Sequence, residues 1–433
     1  EIVSTQEIES SRIAQDRALD QVRLERERAL EALQIAKRQA FEEAEIASGE
    51  EIERARIATE RGLEEARLVR DRDLKQLAIE RDKTVEAAEI QKVIEIAKKS
   101  SERSAAIAAS EAARAKAILA ELELDCWLTF VRETSVTPDP MLSFLSPINL
   151  TWHSAFLVSG EGDAVAIIGD LERKGIEELG VYDRVYSYTE SITPSLHQVL
   201  RDLNPGSIAV NYSTASETAD GLTHGMYLLL GEILREIGYA DRLVSSAALV
   251  SRLRARKTDS EIRSIASAIR ETEDIFRLVR EFVSPGRTEQ EIAAFMRDEV
   301  SRRGLEPAWD VAHCPAVFSG PDTAGAHYRP TGRAVARGHV LNMDFGVKVD
   351  GYCSDLQRTF YILEEGEAEA PEEVRRGFSV ILETIESSRR ALRPGSRGVE
   401  VDAVARSVLA SAGFEEFPHG LGHQVGRFAH DGT

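Results

Sequence analysis

A chain of 433 residues has room for two or three domains, and 42% hydrophobic with 30% charged residues implies a soluble protein with a core of ordinary size. A formal net charge of -20 argues against a general nucleic-acid binder, which needs a basic footprint. The three scattered cysteines (Cys126, Cys314, Cys353) form no CxxC pair, so neither a zinc ribbon nor a disulfide framework is expected, and a reducing, cytoplasmic setting fits best.

No charged-then-apolar leader opens the sequence. No apolar run approaches the roughly 20 residues that span a bilayer; Met226 to Leu230 is apolar but short. Residues 1 to about 122 lack proline, are poor in glycine and are dominated by Ala, Glu, Arg, Ile and Leu, the composition of a long helix or coiled coil. Ile2, Ile13, Leu24, Ile35, Ile46, Ile57, Leu68, Ile79 and Ile90 recur every eleven residues. A second series, Ile8, Leu19, Leu30, Phe41, Ile52, Leu63, Leu74, Val85 and Ile96, has the same spacing, and Arg12 to Leu30 repeats as Arg56 to Leu74. Eleven residues over three turns is about 3.67 per turn, a nearly straight helix rather than a heptad coil. The two series lie roughly 130° apart, too wide for one seam. A helix with two apolar edges needs neighbours on both, so a wall of parallel helices, each about 180 Å long, is expected. A solvated single helix rich in i,i+4 pairs would not need large aliphatics at every eleventh position.

The helix is expected to run into AKAILAELELD without a linker. Short strands then alternate with helices: strands at 127–131, 154–158, 164–168 and 207–210, a helix at 225–237. This predicts an α/β domain over residues 116–255, with the basic stretch 252–257 marking its end. Amphipathic helices at 260–283 and 288–303, separated by the turn Ser284-Pro285-Gly286, open a third region over 256–433.

Three segments of that region carry chemistry. In VLNMDFGVKVDGYCSDLQRTF, strands at 340–347 and 352–360 flank the hairpin signal Asp350-Gly351. Asp344 and Asp355 then lie opposite, or one diagonal step apart, on one face. Two facing carboxylates beside Met343 and Phe345 destabilise the fold unless a cation or proton lies between them, and a divalent metal pair resolves the repulsion. HGLGHQVGRFAHD places His419, His423 and His430 within twelve residues of a chain with nine histidines, and neutral imidazole suits first-row divalent metals. FSGPDTAGAHYRP is a loop bearing His327.

ERARIATERGLEEARLVRDRDL and IERDKTVEAAEI make residues 1–115 resemble the C-terminal coiled-coil region of flotillins, membrane-associated scaffold proteins. That likeness implies homo-oligomerisation through the helix, and peripheral membrane association only through a head domain that this sequence does not contain. ELELDCWLTFVRE, NMDFG, SDLQRTF and HGLGHQVGRFAHD make residues from about 115 to 433 resemble the pita-bread metallopeptidases, nearest the Xaa-Pro dipeptidase and aminopeptidase P branch, to which creatinase is related. The resemblance implies a ribonuclease-H-like (creatinase N-terminal) α/β domain and an α+β pita-bread catalytic domain over residues 256–433. It implies a metal-bridging hydroxide attacking the bond before a proline in second position of a peptide. Asp344 would chelate one metal, Asp355 would bridge both and His423 would bind the second. His327 and His430 would act on the scissile carbonyl and His419 on the substrate, with manganese, cobalt or zinc as the metal.

One departure stands out. The family site needs two further glutamates C-terminal to the HxxGH motif, and the sequence ends at Thr433; Glu415 and Glu416 precede the motif and do not fit. Two glutamates are therefore expected beyond Thr433, this truncated chain is expected to be inactive by itself, and an exposed edge is expected on its incomplete sheet. A non-catalytic pita-bread binding module and a flotillin-like oligomeric scaffold are the alternatives. The metal, and dipeptidase, aminopeptidase or creatinase-like chemistry, stay open.

Overall fold

The computed structural model describes residues 2–320 and 328–432. Helix α1 (Ile2–Glu121) is built from strong helix formers without a proline. The chain divides into two compact units, Glu1–Ala97 and Lys98–Thr433. In the first, every residue from 7 to 95 is exposed, and the members of both eleven-residue series within that span face solvent, from Ile57 at 42% to Phe41 at 72%. Within one chain the helix draws on i,i+4 ion pairs such as Arg54–Glu50 and Arg56–Glu60, each worth a few tenths of a kcal/mol. The first unit ends upstream of the expected 115, because the last turns of α1 bury Ala108, Ala112, Ala115, Ile118 and Leu119 in the second.

In that second unit, β1 (Cys126–Val131), the short α2 (Leu142–Leu145), β2 (Ser154–Ser159), β3 (Ala164–Gly169), the short α3 (Arg173–Glu177), β4 (Arg184–Tyr188), α4 (Thr193–Leu203), β5 (Ile208–Val210), α5 (His224–Arg235) and β6 (Leu243–Ser245) follow one another. They form a six-stranded sheet of order β4-β3-β2-β1-β5-β6. The β1–β2 and β2–β3 pairs are antiparallel, and β1–β5, β3–β4 and β5–β6 are parallel. Strands β1, β2 and β3 are buried along their whole length, since both faces are covered. Trp127, Phe156 and Ile168 pack on one face with α1 and α6 (Ala247–Ala255); Leu128, Leu157 and Ile167 pack on the other with α4 and α5.

The basic stretch 252–257 is not the polar boundary its composition predicts: Arg254 is buried at 2% exposure. Helices α7 (Asp259–Phe282) and α8 (Glu289–Arg302) follow, each opened by a capping box, Thr258 with Glu261 and Thr288 with Glu291. Strands β7 (Glu306–Pro307), β8 (Ala316–Ser319), β9 (Val340–Phe345), β10 (Val347–Val349), β11 (Tyr352–Cys353) and β12 (Leu356–Tyr361) make two small sheets, β11-β10-β7 and β12-β9-β8. The expected strand at 340–347 is thus broken at Gly346, where a Cβ would stand 2.0 Å from the Ser354 carbonyl oxygen. Among the described residues β12 pairs on one side only, with β9. Helices α9 (Glu372–Ala391) and α10 (Gly398–Ser411) pack on each other, and α9 leaves Phe378, Ile381, Leu382 and Ile385 exposed.

Candidate metal centre

Asp350 (φ 55°) and Gly351 (φ 76°) both sit in the left-handed region, the conformation of a two-residue type I′ hairpin turn. The turn sets the register Val349↔Tyr352 and, through it, Asp344↔Gln357. The hairpin is centred one residue later than direct opposition of the aspartates would need. Asp355 is therefore the diagonal neighbour of Asp344, and the two carboxyls still meet.

Burial first, then the Asp355 charge and a hydrogen bond between the two carboxyls, push the Asp344 carboxyl up to about 7. Asp355 is also raised, by burial, against the lowering pull of His423, the Asp344 hydrogen bond and His430. Asp344 Oδ1 is buried with no hydrogen-bond partner. Two carboxyls and an orphaned oxygen at one point are a site short of positive charge.

The positive side comes from the histidine loop. His423 Nε2 lies 3.4 Å from Asp355 Oδ2, and the His423 and His430 rings are 4.0 Å apart between centroids. The loop is tied to the hairpin through its backbone, with Cys353 N–H donating to the Gly426 carbonyl at 2.7 Å. His419 is not brought to the carboxylates. Arg406 holds Asp402, Glu416 and the Phe417 and His419 carbonyls, so His419 turns toward its neighbour's carbonyl and the Phe417 ring. His327 lies outside the described residues.

Asp344, Asp355 and His430 open onto a cleft of about 1200 Å³ between the six-stranded sheet's domain and the hairpin. Pro140, Ile148, Trp309 and Phe428 supply apolar wall; Glu217, Asp310, His313, Lys348, Arg254 and Arg427 supply polar groups. The motifs do not single out His313, which accepts from Arg329 Nε at 3.2 Å, or Asp431, which is 2% exposed and bound by Arg254 and Lys257. Asp431 directly follows the motif histidine His430, the one sequence signal that pointed to it.

Among the described residues no three His, Cys, Asp or Glu side chains converge as a ready-made cation cage. The donor set nevertheless fits a divalent metal: two carboxylates and a nearby imidazole suit Mn²⁺, Co²⁺ or Zn²⁺, and a cation would satisfy Asp344 Oδ1.

Residues 263–433 match the model of metallopeptidase family M24. The chain is 32% identical over 190 residues to the "Probable dipeptidase PepE" of Mycobacterium tuberculosis, covering 43% of this chain and 48% of that protein. It thus spans about half the length of the curated relatives it matches. Among solved structures it resembles the dipeptidase PepE from Mycobacterium ulcerans (TM-score 0.59, 24% identity, covering 76% of this chain and 83% of that one). It also resembles the X-Pro aminopeptidase from Thermotoga maritima (TM-score 0.55, 25% identity, covering 74% and 83%). The fold of the second unit is therefore that of the pita-bread peptidases.

Proposed function

We propose that these residues belong to a dinuclear-metal Xaa-Pro peptidase, which hydrolyses the bond before a proline in second position of a peptide, and that residues 1–433 by themselves hold metal with little or no turnover. The observation that carries this reading is the partly buried Asp344–Asp355 pair with His423 Nε2 at 3.4 Å from Asp355, inside the matched segment. Asp344, Asp355 and His423 would hold the metal, with Mn²⁺ first and Co²⁺ or Zn²⁺ as substitutes. A divalent pair bound there supplies Lewis-acid polarisation of the scissile carbonyl and a water of lowered pKa. His430, on the cleft wall beside His423, donates a hydrogen bond to the carbonyl oxygen as charge develops on it. Trp309, Phe428 and Pro140 give the proline ring an apolar wall.

The test loads the full chain with Mn²⁺ or Co²⁺, counts bound metal, and compares hydrolysis of Ala-Pro, Ala-Pro-Ala and Ala-Ala. Metal binding that is lost in Asp355→Asn, with any residual turnover confined to the proline substrates, supports the reading, and the length preferred separates dipeptidase from aminopeptidase. No bound metal, or metal binding that Asp355→Asn leaves unchanged, overturns it.

Homo-oligomerisation through Glu1–Ala97 is part of the same proposal. A lone helix gains nothing from aliphatics such as Leu24, Leu68 and Ile79, exposed at 48%, 66% and 55%, so neighbours of the same kind are the economical cover. Light scattering decides: the full chain should be several-fold heavier than one copy, and removing residues 1–97 should bring it down. The buried free cysteines Cys126, Cys314 and Cys353 are in keeping with a reducing, cytoplasmic location, which fractionation would check.

A further inference from the structure

The loop carrying His423 and His430 is anchored to a place outside the hairpin. Asp431 N–H donates to the Gln424 carbonyl at 3.0 Å, closing residues 424–431 on themselves. Each imidazole stands one residue before a member of that closing pair, which brings the rings 4.0 Å apart. The Asp431 carboxylate then reaches across to the segment joining the two halves of the second unit. Arg254 Nη2 donates to one oxygen at 2.5 Å and Lys257 Nζ to the other at 2.8 Å, while Arg254 Nε donates to the Asp431 carbonyl at 3.2 Å.

The Arg254, Lys257 and Asp431 side chains are 1%, 14% and 3% exposed. The Arg254 guanidinium lies over Phe144 and Phe428, 5.3 and 5.1 Å from the ring centroids. Buried ion pairs of this kind are commonly no more stable than apolar packing of the same volume. What they supply is direction: a carboxylate held at both oxygens and its own carbonyl has one position. The packing leaves no slack, since a Cβ at Gly426 would stand 1.9 Å from Asp431 Oδ2 and 3.0 Å from Lys257 Nζ.

We propose that Arg254 and Lys257 are positioning residues that fix the His423 and His430 imidazoles against the aspartate hairpin, acting through Asp431. The metal-binding part of this inference rests on the reading given under Proposed function. The segment between the domains thereby helps set the geometry of the metal centre, although none of its residues is a candidate ligand.

The experiment uses the full chain, with Trp fluorescence confirming the fold of each variant. Co²⁺ is titrated and its visible absorption followed, and amide hydrogen exchange is measured on the metal-free protein. Asp431→Asn keeps the shape and removes the charge; it is expected to weaken Co²⁺ binding about ten- to a hundredfold, the usual effect of losing a group that orients a ligand. Lys257→Met should give a smaller loss, and Lys257→Arg should restore binding. Exchange at the Asp431 and Cys353 amides should speed up in Asp431→Asn and Lys257→Met, with β1 to β3 unchanged. A folded Asp431→Asn that binds Co²⁺ like the parent overturns the proposal. If the parent binds no Co²⁺, the metal reading fails and exchange alone decides: local acceleration supports the positioning role, and unchanged exchange overturns it. If Asp431→Asn does not fold, Lys257→Met and Lys257→Arg decide by the same two readouts.

Discussion

Glu111, near the end of α1, is 3% exposed, and one of its carboxylate oxygens is buried without a partner. Arg114 Nη1 donates to the other oxygen at 2.5 Å but is shared with Glu261, 3.3 Å away. One cation thus serves two buried carboxyls, and Arg427 adds a weaker pull. Burial outweighs the Arg114 attraction and, helped by the Glu261 charge, raises the Glu111 carboxyl to about 7 from an ordinary 4.5. The raised value lies in the folded state, so this group's contribution to stability is full below about 4.5 and is lost as pH rises through about 7. At about 1.4 kcal/mol per pH unit between those values, the loss is about 3 kcal/mol by pH 8. Glu111→Gln keeps the shape and removes the titration. Relative to the parent it should gain about 2–3 kcal/mol at pH 8 over its value at pH 5. Urea unfolding at the two pH values, followed by tryptophan fluorescence, measures this directly, because Trp127, Trp152 and Trp309 all lie in the second unit. A difference between the two proteins that does not change with pH would refute the reasoning.

Other perturbations follow from single features. The buried Glu289 carboxylate accepts from Ser319 N, Thr331 N and Oγ1, and Tyr328 Oη; Glu289→Gln puts an amide donor among donors, so a loss of about 2–3 kcal/mol is expected in urea unfolding. Gly346→Ala places a methyl against the Ser354 carbonyl, which the backbone must yield to, so a lower melting temperature and faster exchange at the Val347 amide are expected. Asp344→Asn relieves carboxyl repulsion: the metal-free chain should be equally or more stable at pH 8, yet lose the rise in melting temperature that Co²⁺ gives the parent. A parent that Co²⁺ does not stabilise, or a variant that it still does, would contradict the last expectation.

The legible parts of this molecule are those where local chemistry decides. Asp350-Gly351 dictates its own turn, and the alternation around it delivers Asp344 and Asp355 to one face, though not the one-residue shift in pairing. The capping boxes at Thr258 and Thr288 place the starts of α7 and α8 within a residue of the periodic pattern. Strands β1 to β3 could be seen as apolar runs, but the three-residue β6 and the half-exposed β4 gave no comparable signal. Arg254 and Asp431 were illegible for another reason: they are 177 residues apart, and each reads as an ordinary polar residue until the fold brings the two together. His419 differs: its motif points to a substrate-side role, while in the fold its ring meets the Gly420 carbonyl and the Phe417 ring and Arg406, thirteen residues earlier, holds its carbonyl.

The Cys353–Gly426 contact joins amide to carbonyl, not side chain to side chain. It does not depend on the Cys353 side chain, and only proline at 353 would remove its donor, but at 426 any side chain would run into the Asp431 carboxylate. The interval between the carboxylate hairpin and the histidine loop is therefore set by the backbone at 353 and by the lack of a side chain at 426. Cleft-wall residues such as Ile148 and Trp309 can be exchanged while that interval is kept.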